Sequence, residues 1–255
     1  MVRIKTYIIN LKHSVDRKKY IWNETDKYSC LDRELVEGVD GRLLSEEELN
    51  LQFDRKRFER CYARYPFPGE IGCTLSHLKC CRKFLESDET VALILEDDMH
   101  FLHEQDVDFL LQEAVHILEK APATLLYLQP PRFCWTIGKK QIGREYSIYS
   151  MLNGVGSAIY LINRKGAERM MSCKHPYWLA DHYELIRLKG IHIKTIYPTF
   201  AIVDEDITVK VDISRKKNVR LPRNFRWFCY RCKYWFVEQI PVVLKSFGLL
   251  KNMQE

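Results

Sequence analysis

Three carboxylates stand in a row at Glu96-Asp97-Asp98, directly after five consecutive apolar residues, Val91-Ala92-Leu93-Ile94-Leu95. An apolar run without a polar break suits a strand buried on both faces of a sheet. The carboxylates cannot share that burial, because desolvating unpaired negative charge costs far too much. They therefore emerge together where the strand leaves the sheet, the edge at which open α/β folds bind their ligands. Side by side they repel one another unless a cation is close. Hard oxygen donors favour Mg²⁺ or Mn²⁺, ions that commonly hold substrate phosphates. The same residues also fit a plainer role, an acidic and solvated strand cap.

Other chemistry-bearing groups are weaker. Asp204-Glu205-Asp206 reads as a solvated turn. Cys229 and Cys232 have half the spacing of a zinc ribbon, but no second pair or suitably spaced histidine follows, so structural zinc is not expected. There is no P-loop and no strand-linked G-x-G-x-x-G. Gly154-Val155-Gly156 is too short to cradle a phosphate and instead lets backbone approach a ligand or another element closely.

The elements that must position these groups alternate between strand and helix. Strands are expected at Lys5 to Leu11, Leu35 to Val39, Val91 to Leu95, Thr124 to Leu128, Gly154 to Ile162 and His192 to Tyr197. Helices are expected from near Ser14, from the capping box at Ser45 towards Arg60, and from Glu70 with Ile71, Leu75, Leu78 and Leu85 along one stripe. Further helices carry Val107 to Leu118, run from the Asn163 cap to Met171, and span Ala180 to Lys189. Gln129 to Arg144 reads as an irregular loop. This alternation predicts an α/β fold with a mostly parallel central sheet.

The chain of 255 residues, 46% hydrophobic and 29% charged, can bury a full core and is neither disordered nor fibrous in composition. Nine scattered cysteines fit a reducing compartment rather than a disulfide scaffold. No apolar run is long enough to cross a bilayer and the first residues lack a secretory core, so a cytoplasmic location is expected. The net charge of +6 is uneven: residues 214–255 hold ten basic residues against Glu238 and Glu255, a formal +8, which leaves the body at −2. Phe225, Trp227, Phe228, Tyr230, Tyr234, Trp235, Phe236 and Phe247 interleave with those charges. That pattern suits an anionic membrane surface. Packing of the aromatics onto the body, or single-stranded nucleic acid, would also account for it, and nucleic acid is the least expected partner.

Four blocks in order resemble glycosyltransferase family 25, the bacterial lipooligosaccharide galactosyltransferases and their collagen-modifying relatives. They are Ile9-Asn10-Leu11 with Asp16-Arg17, then Gly69-Glu70-Ile71-Gly72-Cys73 with Ser76-His77, then Leu93 to Asp98, then Gly156 to Ile162 with Arg164 to Glu168 and Asp181-His182-Tyr183. Val39-Asp40-Gly41 fits as well. The joint order covers roughly Lys5 to Thr208; the basic tail lies outside it.

The resemblance implies a GT-A-like nucleotide-sugar-binding domain over residues 1–213, followed by the tail at 214–255. It implies a UDP-sugar donor and transfer of galactose, with inversion, to a saccharide acceptor. Glu96-Asp97-Asp98 takes the place of the family's metal motif, with Asp98 expected as the Mn²⁺ (or Mg²⁺) ligand, Asp97 assisting, and Glu96 nearer the ribose or a structural partner. Asp181 is the expected general base and Glu184 the second candidate, since inversion needs a group to take the acceptor's proton. Asn10, Arg17, Ser76, His77, Gly156 and His182 are expected at the donor, Arg17 as a planar anion contact. His77, among Cys73, Cys80 and Cys81, fits a satisfied core histidine equally well, and Asp181 fits a helix N-terminal carboxylate.

The expected activity is thus metal-dependent galactosyl transfer to bacterial lipooligosaccharide at the inner membrane face, with a lipid-linked acceptor and peripheral attachment through the tail. A nucleotidyl or phosphoryl transferase, or a non-catalytic saccharide or nucleotide binder, would use the same carboxylates.

Overall fold

Residues 3–204, 206, 241 and 244–253 are described by a computed structural model. The first unit is β1 (Ile4–Asn10), α1 (Val15–Asp26) and β2 (Leu31–Glu37), with β2 parallel to β1. Next come α2 (Glu46–Gln52), α3 (Arg55–Tyr62) and α4 (Pro68–Glu86), then β3 (Val91–Glu96), β4 (Met99–Phe101) and α5 (Glu104–Glu119). The chain continues through β5 (Thr124–Tyr127), β6 (Pro131–Trp135), β7 (Lys140–Ile142), β8 (Tyr146–Gly154) and β9 (Ile159–Asn163). Then follow α6 (Arg164–Met171), α7 (Tyr183–Arg187), β10 (His192–Tyr197), β11 (Ala201–Val203) and β12 (Leu250–Asn252).

The strands form one large sheet in the order β12-β6-β8-β10-β5-β9-β3-β1-β2, with β7 paired to β8, and a small sheet of β4 with β11. The expected α/β architecture is present. Its parallel pairings are β2-β1-β3 and β5-β10. Between these two sets β9 runs antiparallel to both β3 and β5, and β8, β6 and β12 extend the sheet antiparallel, so the whole is mixed.

The apolar run of β3 is buried on both faces: Val91 to Leu95 are all 3% exposed or less. Ala92 and Ile94 join Tyr7, Ile9, Tyr127 and Tyr160 against α4 and α6, through Ile71, Leu78, Phe84 and Ala167. Val91, Leu93 and Leu95 face the other way, with Ile8, Leu126 and Leu161, onto Leu110, Leu111 and Ala114 of α5. Alternate side chains of one strand thus serve two separate cores, as the pleat requires.

Helix starts follow their caps. Ser45 and Glu48 exchange both bonds of a capping box. Asn163 caps α6 by accepting from Gly166 N–H at 2.9 Å, and also accepts from Thr124 N–H at 2.9 Å and donates to Pro122 O at 2.7 Å. Several expected elements differ. The helix from Ser45 stops at Gln52, because Asp54 caps a new helix by accepting from Arg57 N–H while its own N–H donates to Pro176 O. The expected loop at Gln129 to Arg144 contains β6 and β7. Gly154 to Ile162 is not one strand: β8 ends at Gly154, Gly156 takes φ +84°, and β9 begins at Ile159. The helix at Ala180 to Lys189 is confined to Tyr183–Arg187.

Most of the basic aromatic stretch, residues 207–240, lies outside the described residues. At its far end Leu250–Asn252 pair with β6, and Leu250 and Met253 are buried. Among the described residues no helix is long and apolar enough to cross a membrane.

Candidate functional site

At the carboxyl ends of β1 and β3 lies a cavity of about 190 Å³. It is lined by Arg17 after β1, by Val39 to Arg42 after β2, by Cys73, Ser76 and His77 on α4, and by Glu96, Asp97 and Asp98. This is the sheet edge at which parallel strands release their chain ends toward ligands.

The loop after β2 is pressed against α4 so closely that only glycine fits at the contact. A Cβ at Gly72 would stand 2.3 Å from Val39 O, and one at Gly41 would stand 1.8 Å from Pro68 O. Ser76 Oγ fastens the same contact by accepting from Val39 N–H at 2.8 Å and donating to Gly72 O at 2.7 Å. Ser76, expected at the donor, therefore holds the cavity wall. Arg42 and Asp40 pair across the cavity rim, with Arg42 Nε and NH2 both 2.7 Å from the Asp40 carboxylate.

Each carboxylate has a different environment. Glu96 Oε1 receives hydrogen bonds from Ser157 Oγ at 2.9 Å and contacts His77 Nε2 at 3.1 Å, while His77 Nδ1 meets Tyr160 OH at 3.1 Å. Burial acts to raise the Glu96 carboxyl, but the hydrogen bond and charge of His77, with Ser157 and Arg17, outweigh it and hold the group below its ordinary value. His77 is 2% exposed, with Glu96 and Tyr160 as its ring partners, and it also lines the cavity. Asp97 has one oxygen on Asn10 Nδ2 at 2.6 Å and the other on Arg17 NH2. Asn10 also donates to Ser14 O at 3.0 Å, which ties the exit of β1 to the acidic turn. Burial pushes the Asp97 carboxyl up despite Arg17.

Asp98 accepts from Arg17 NH2 at 2.7 Å through Oδ2, while its buried Oδ1 has no hydrogen-bond partner. Burial, then the charge of Glu96, push the Asp98 carboxyl up to about 7. Arg17 itself keeps a buried Nε without a partner. One lining residue thus lacks a cation at an acceptor, and another lacks an acceptor at a donor. A divalent ion with a phosphate would satisfy both, since Asp98 offers a hard oxygen and Arg17 a guanidinium N–H. The residues present fit a Mg²⁺- or Mn²⁺-type ion at Asp98. Asp97, expected as an assisting ligand, has both oxygens engaged by Asn10 and Arg17.

The second group of expected residues lies next to this one. Asp181 Oδ2 accepts from Gly156 N–H at 3.1 Å, and Tyr183 OH donates to Gly156 O at 2.7 Å. The next residue, Ser157, bonds Glu96, so the Gly156 turn joins Asp181 to the acidic strand end. His182 contacts Tyr62 OH through Nδ1 and Glu184 through Nε2 at 3.4 Å, which draws the second carboxylate candidate toward α3. Asp181, His182 and Glu184 do not line the 190 Å³ cavity.

Some contributors are not evident from residue type or spacing. Ser157 and Tyr160 reach Glu96 and His77 from β9 and its entrance, more than sixty residues along the chain. Gln129 fixes that entrance by accepting from Ala158 N–H at 2.7 Å. Their only sequence signal is the Gly156-Ser157 block itself. Asp204 is a correction to the expected solvated turn. Its N–H donates to Asp98 O at 2.7 Å and its carboxylate accepts from Tyr20 OH at 2.9 Å, which anchors β11 against the acidic turn.

Comparison with known proteins matches the model of "Glycosyltransferase family 25 (LPS biosynthesis protein)" to residues 3–183. A glycosyltransferase 25 family member of Aedes aegypti is 28% identical over 180 residues, covering 66% of this chain and 28% of that protein. Procollagen galactosyltransferase 1-A of Xenopus laevis is 26% identical over 177 residues, covering 67% and 28%. Procollagen galactosyltransferase 2 of Mus musculus is 29% identical over 220 residues, covering 76% and 35%. The chain therefore spans about a third or less of the length of these relatives. Among solved structures, the apo-form glycosyltransferase GlyE of Streptococcus pneumoniae TIGR4 aligns over 98% of this chain and 54% of its own, at 12% identity and a TM-score of 0.37. With the family model matched over most of its length, including every residue that lines the cavity, the chain belongs to glycosyltransferase family 25.

Proposed function

We propose that this chain is a metal-dependent, inverting glycosyltransferase that moves galactose from UDP-galactose to a saccharide acceptor of bacterial lipooligosaccharide. One observation carries the reading: the cavity pairs an unpartnered buried carboxylate oxygen on Asp98 with an unpartnered guanidinium N–H on Arg17. A cation and a diphosphate together meet both needs. The names of the procollagen galactosyltransferases among its relatives support galactose as the sugar.

In this reading Asp98 would hold the ion, with Glu96 beside it and kept ionised by His77 and Ser157. A bound Mn²⁺ or Mg²⁺ supplies positive charge against the negative charge that grows on the leaving diphosphate. Asp97 and Asn10 hold Arg17 at the cavity, where its guanidinium meets a phosphate oxygen. Val39 to Arg42 form the wall for the nucleoside. Asp181 takes the proton from the acceptor hydroxyl as that oxygen attacks the anomeric carbon. The Gly156 N–H fixes one of its oxygens for the task. Glu184 is the alternative base. The charge and aromatics of residues 214–255 support attachment to an anionic membrane surface on the cytoplasmic side, near a lipid-linked acceptor.

The test is UDP release from UDP-galactose with Mn²⁺, in wild type, in Asp98→Asn and after chelation. Release that needs the metal and falls at least about 100-fold in Asp98→Asn supports the reading. Pyrophosphate release from a nucleoside triphosphate instead, or no donor turnover with any UDP-sugar, sinks it.

A further inference from the structure

The cavity lining also includes a thiol and an imidazole, donors that hard-ion chemistry does not use, beside the Glu96 carboxylate. Cys73 Sγ, a ring nitrogen of His77 and a carboxylate oxygen of Glu96 all lie within 4.8 Å of one another. We propose that these three residues form a binding site for a thiophilic divalent cation, Zn²⁺ foremost, distinct from the hard-oxygen position at Asp98.

The donor set is one sulfur, one imidazole and one carboxylate, a combination that suits Zn²⁺ and disfavours Mg²⁺ and Mn²⁺. Cys73 and His77 are one helical turn apart on α4, so they share a face. Glu96 comes to them from the end of β3. Tetrahedral zinc, with bonds of about 2.0–2.3 Å, places its donors about 3.3–3.8 Å apart. The His77 Nε2 to Glu96 Oε1 separation of 3.1 Å is already near that range. The sulfur, within 4.8 Å of both, has at most about 1 Å to close, a distance a side-chain rotation can supply. The outer contacts are also in place. Tyr160 OH holds His77 Nδ1 at 3.1 Å, leaving Nε2 toward the cluster, and Ser157 holds Glu96 at 2.9 Å. All three residues line the cavity, which provides an entry path and room for a water as fourth ligand.

Binding forms an S–Zn bond in place of the thiol S–H, and the proton leaves to solvent. No electron is transferred. Zinc in this position takes up the Glu96 carboxylate and sits within the cavity. If the proposed function is right, micromolar Zn²⁺ inhibits donor turnover. The site itself does not depend on that reading.

The experiment titrates the full chain with Co²⁺, in a background where Cys229→Ser and Cys232→Ser remove the Cys-x-x-Cys pair. The expected result is a near-ultraviolet sulfur-to-cobalt charge-transfer band saturating at one equivalent and bleached by Zn²⁺. Cys73→Ser abolishes the band without moving the urea midpoint, and His77→Gln weakens Co²⁺ binding at least about tenfold. Absence of the band, or its persistence in Cys73→Ser, overturns the proposal. Should Cys73→Ser fail to fold, zinc-edge X-ray absorption of the background protein decides instead: one sulfur at about 2.3 Å supports the site, and an all-nitrogen-and-oxygen shell overturns it. Co²⁺ binding needs no donor, so a protein that shows the band but never turns over a UDP-sugar keeps this site and loses the proposed function.

Discussion

Replacing Gly72 by Ala sets two effects of opposite sign against each other. Gly72 lies inside α4, where Ala is favoured over Gly by about 1 kcal/mol from propensity alone. Against this, the new Cβ would lie 2.3 Å from Val39 O and 2.7 Å from Gly41 N, whereas real Cβ atoms do not approach within 3.0 Å. The loop and the helix must therefore part by about 0.7 Å. Both obstructing atoms are backbone, so no side-chain rotation relieves the clash, and the cost sits near the upper end of the range for overpacking, about 3 kcal/mol. The net expectation is a loss of about 2 kcal/mol. With an m-value of about 3 kcal/mol/M, the urea midpoint falls by about 0.7 M. Gly41→Ala, with its Cβ 1.8 Å from Pro68 O, should cost more. The control is Gly190→Ala: nothing lies within 4 Å of that Cβ, and only the φ of +79° opposes it, at about 1 kcal/mol. A Gly72→Ala protein as stable as wild type, or more stable, would mean that propensity wins. The Val39 to Arg42 loop would then not be seated on α4 in solution.

Three further expectations follow from the site and its supports. Because burial and the Glu96 charge push the Asp98 carboxyl up to about 7, a cation must displace a proton there at lower pH. Mn²⁺ affinity, read by electron paramagnetic resonance, should fall about tenfold per unit below about pH 7 and level off above it; a flat profile between about pH 5.5 and 8 refutes Asp98 as the ligand. Asp181→Asn keeps an acceptor for Gly156 N–H but not a base, so kcat should fall about 10²- to 10⁴-fold with donor KM nearly unchanged; an equal loss carried by KM assigns Asp181 to binding instead. Asn163→Ala strips the cap from α6 and orphans the buried Thr124 N–H, and should cost about 3 kcal/mol in urea unfolding. A cost below about 1 kcal/mol shows that water replaces the amide.

Legibility in the sequence tracked how local the cause was. β3 could be read because five apolar residues in a row have few other uses, and α2 and α6 because Ser45 and Asn163 carry their caps within three residues. The break between α2 and α3 was not readable, since half of it depends on Pro176 O, which accepts the Asp54 N–H from far along the chain. β6 and β7 escaped because Pro130-Pro131 and the Gly and Lys residues at 138–140 read as loop, and the strands are defined by pairing, β6 with β8 and β12 and β7 with β8, rather than by alternation. At the site, Asp98 and Arg17 were evident as residue types. Their pairing, and the grip of His77 and Ser157 on Glu96, belong to contacts 19 to 81 residues apart. The family blocks named most of these residues without saying which would hold which.

The antiparallel placement of β9 has a consequence for how the chain is made. β3 gains β1 on one side as soon as it is synthesised, but its other side stays open until residues 159–163 arrive. At about 5–20 residues per second, some seventy residues of further synthesis take roughly 4–14 seconds. Through that interval a strand with five apolar residues in a row has a bare row of N–H and C=O groups, the kind of edge that recruits other strands. The carboxylates that close this strand are the only charges in the segment. During synthesis they are its protection against mispairing, with Asn10, Arg17 and His77 already made and Ser157 still to come.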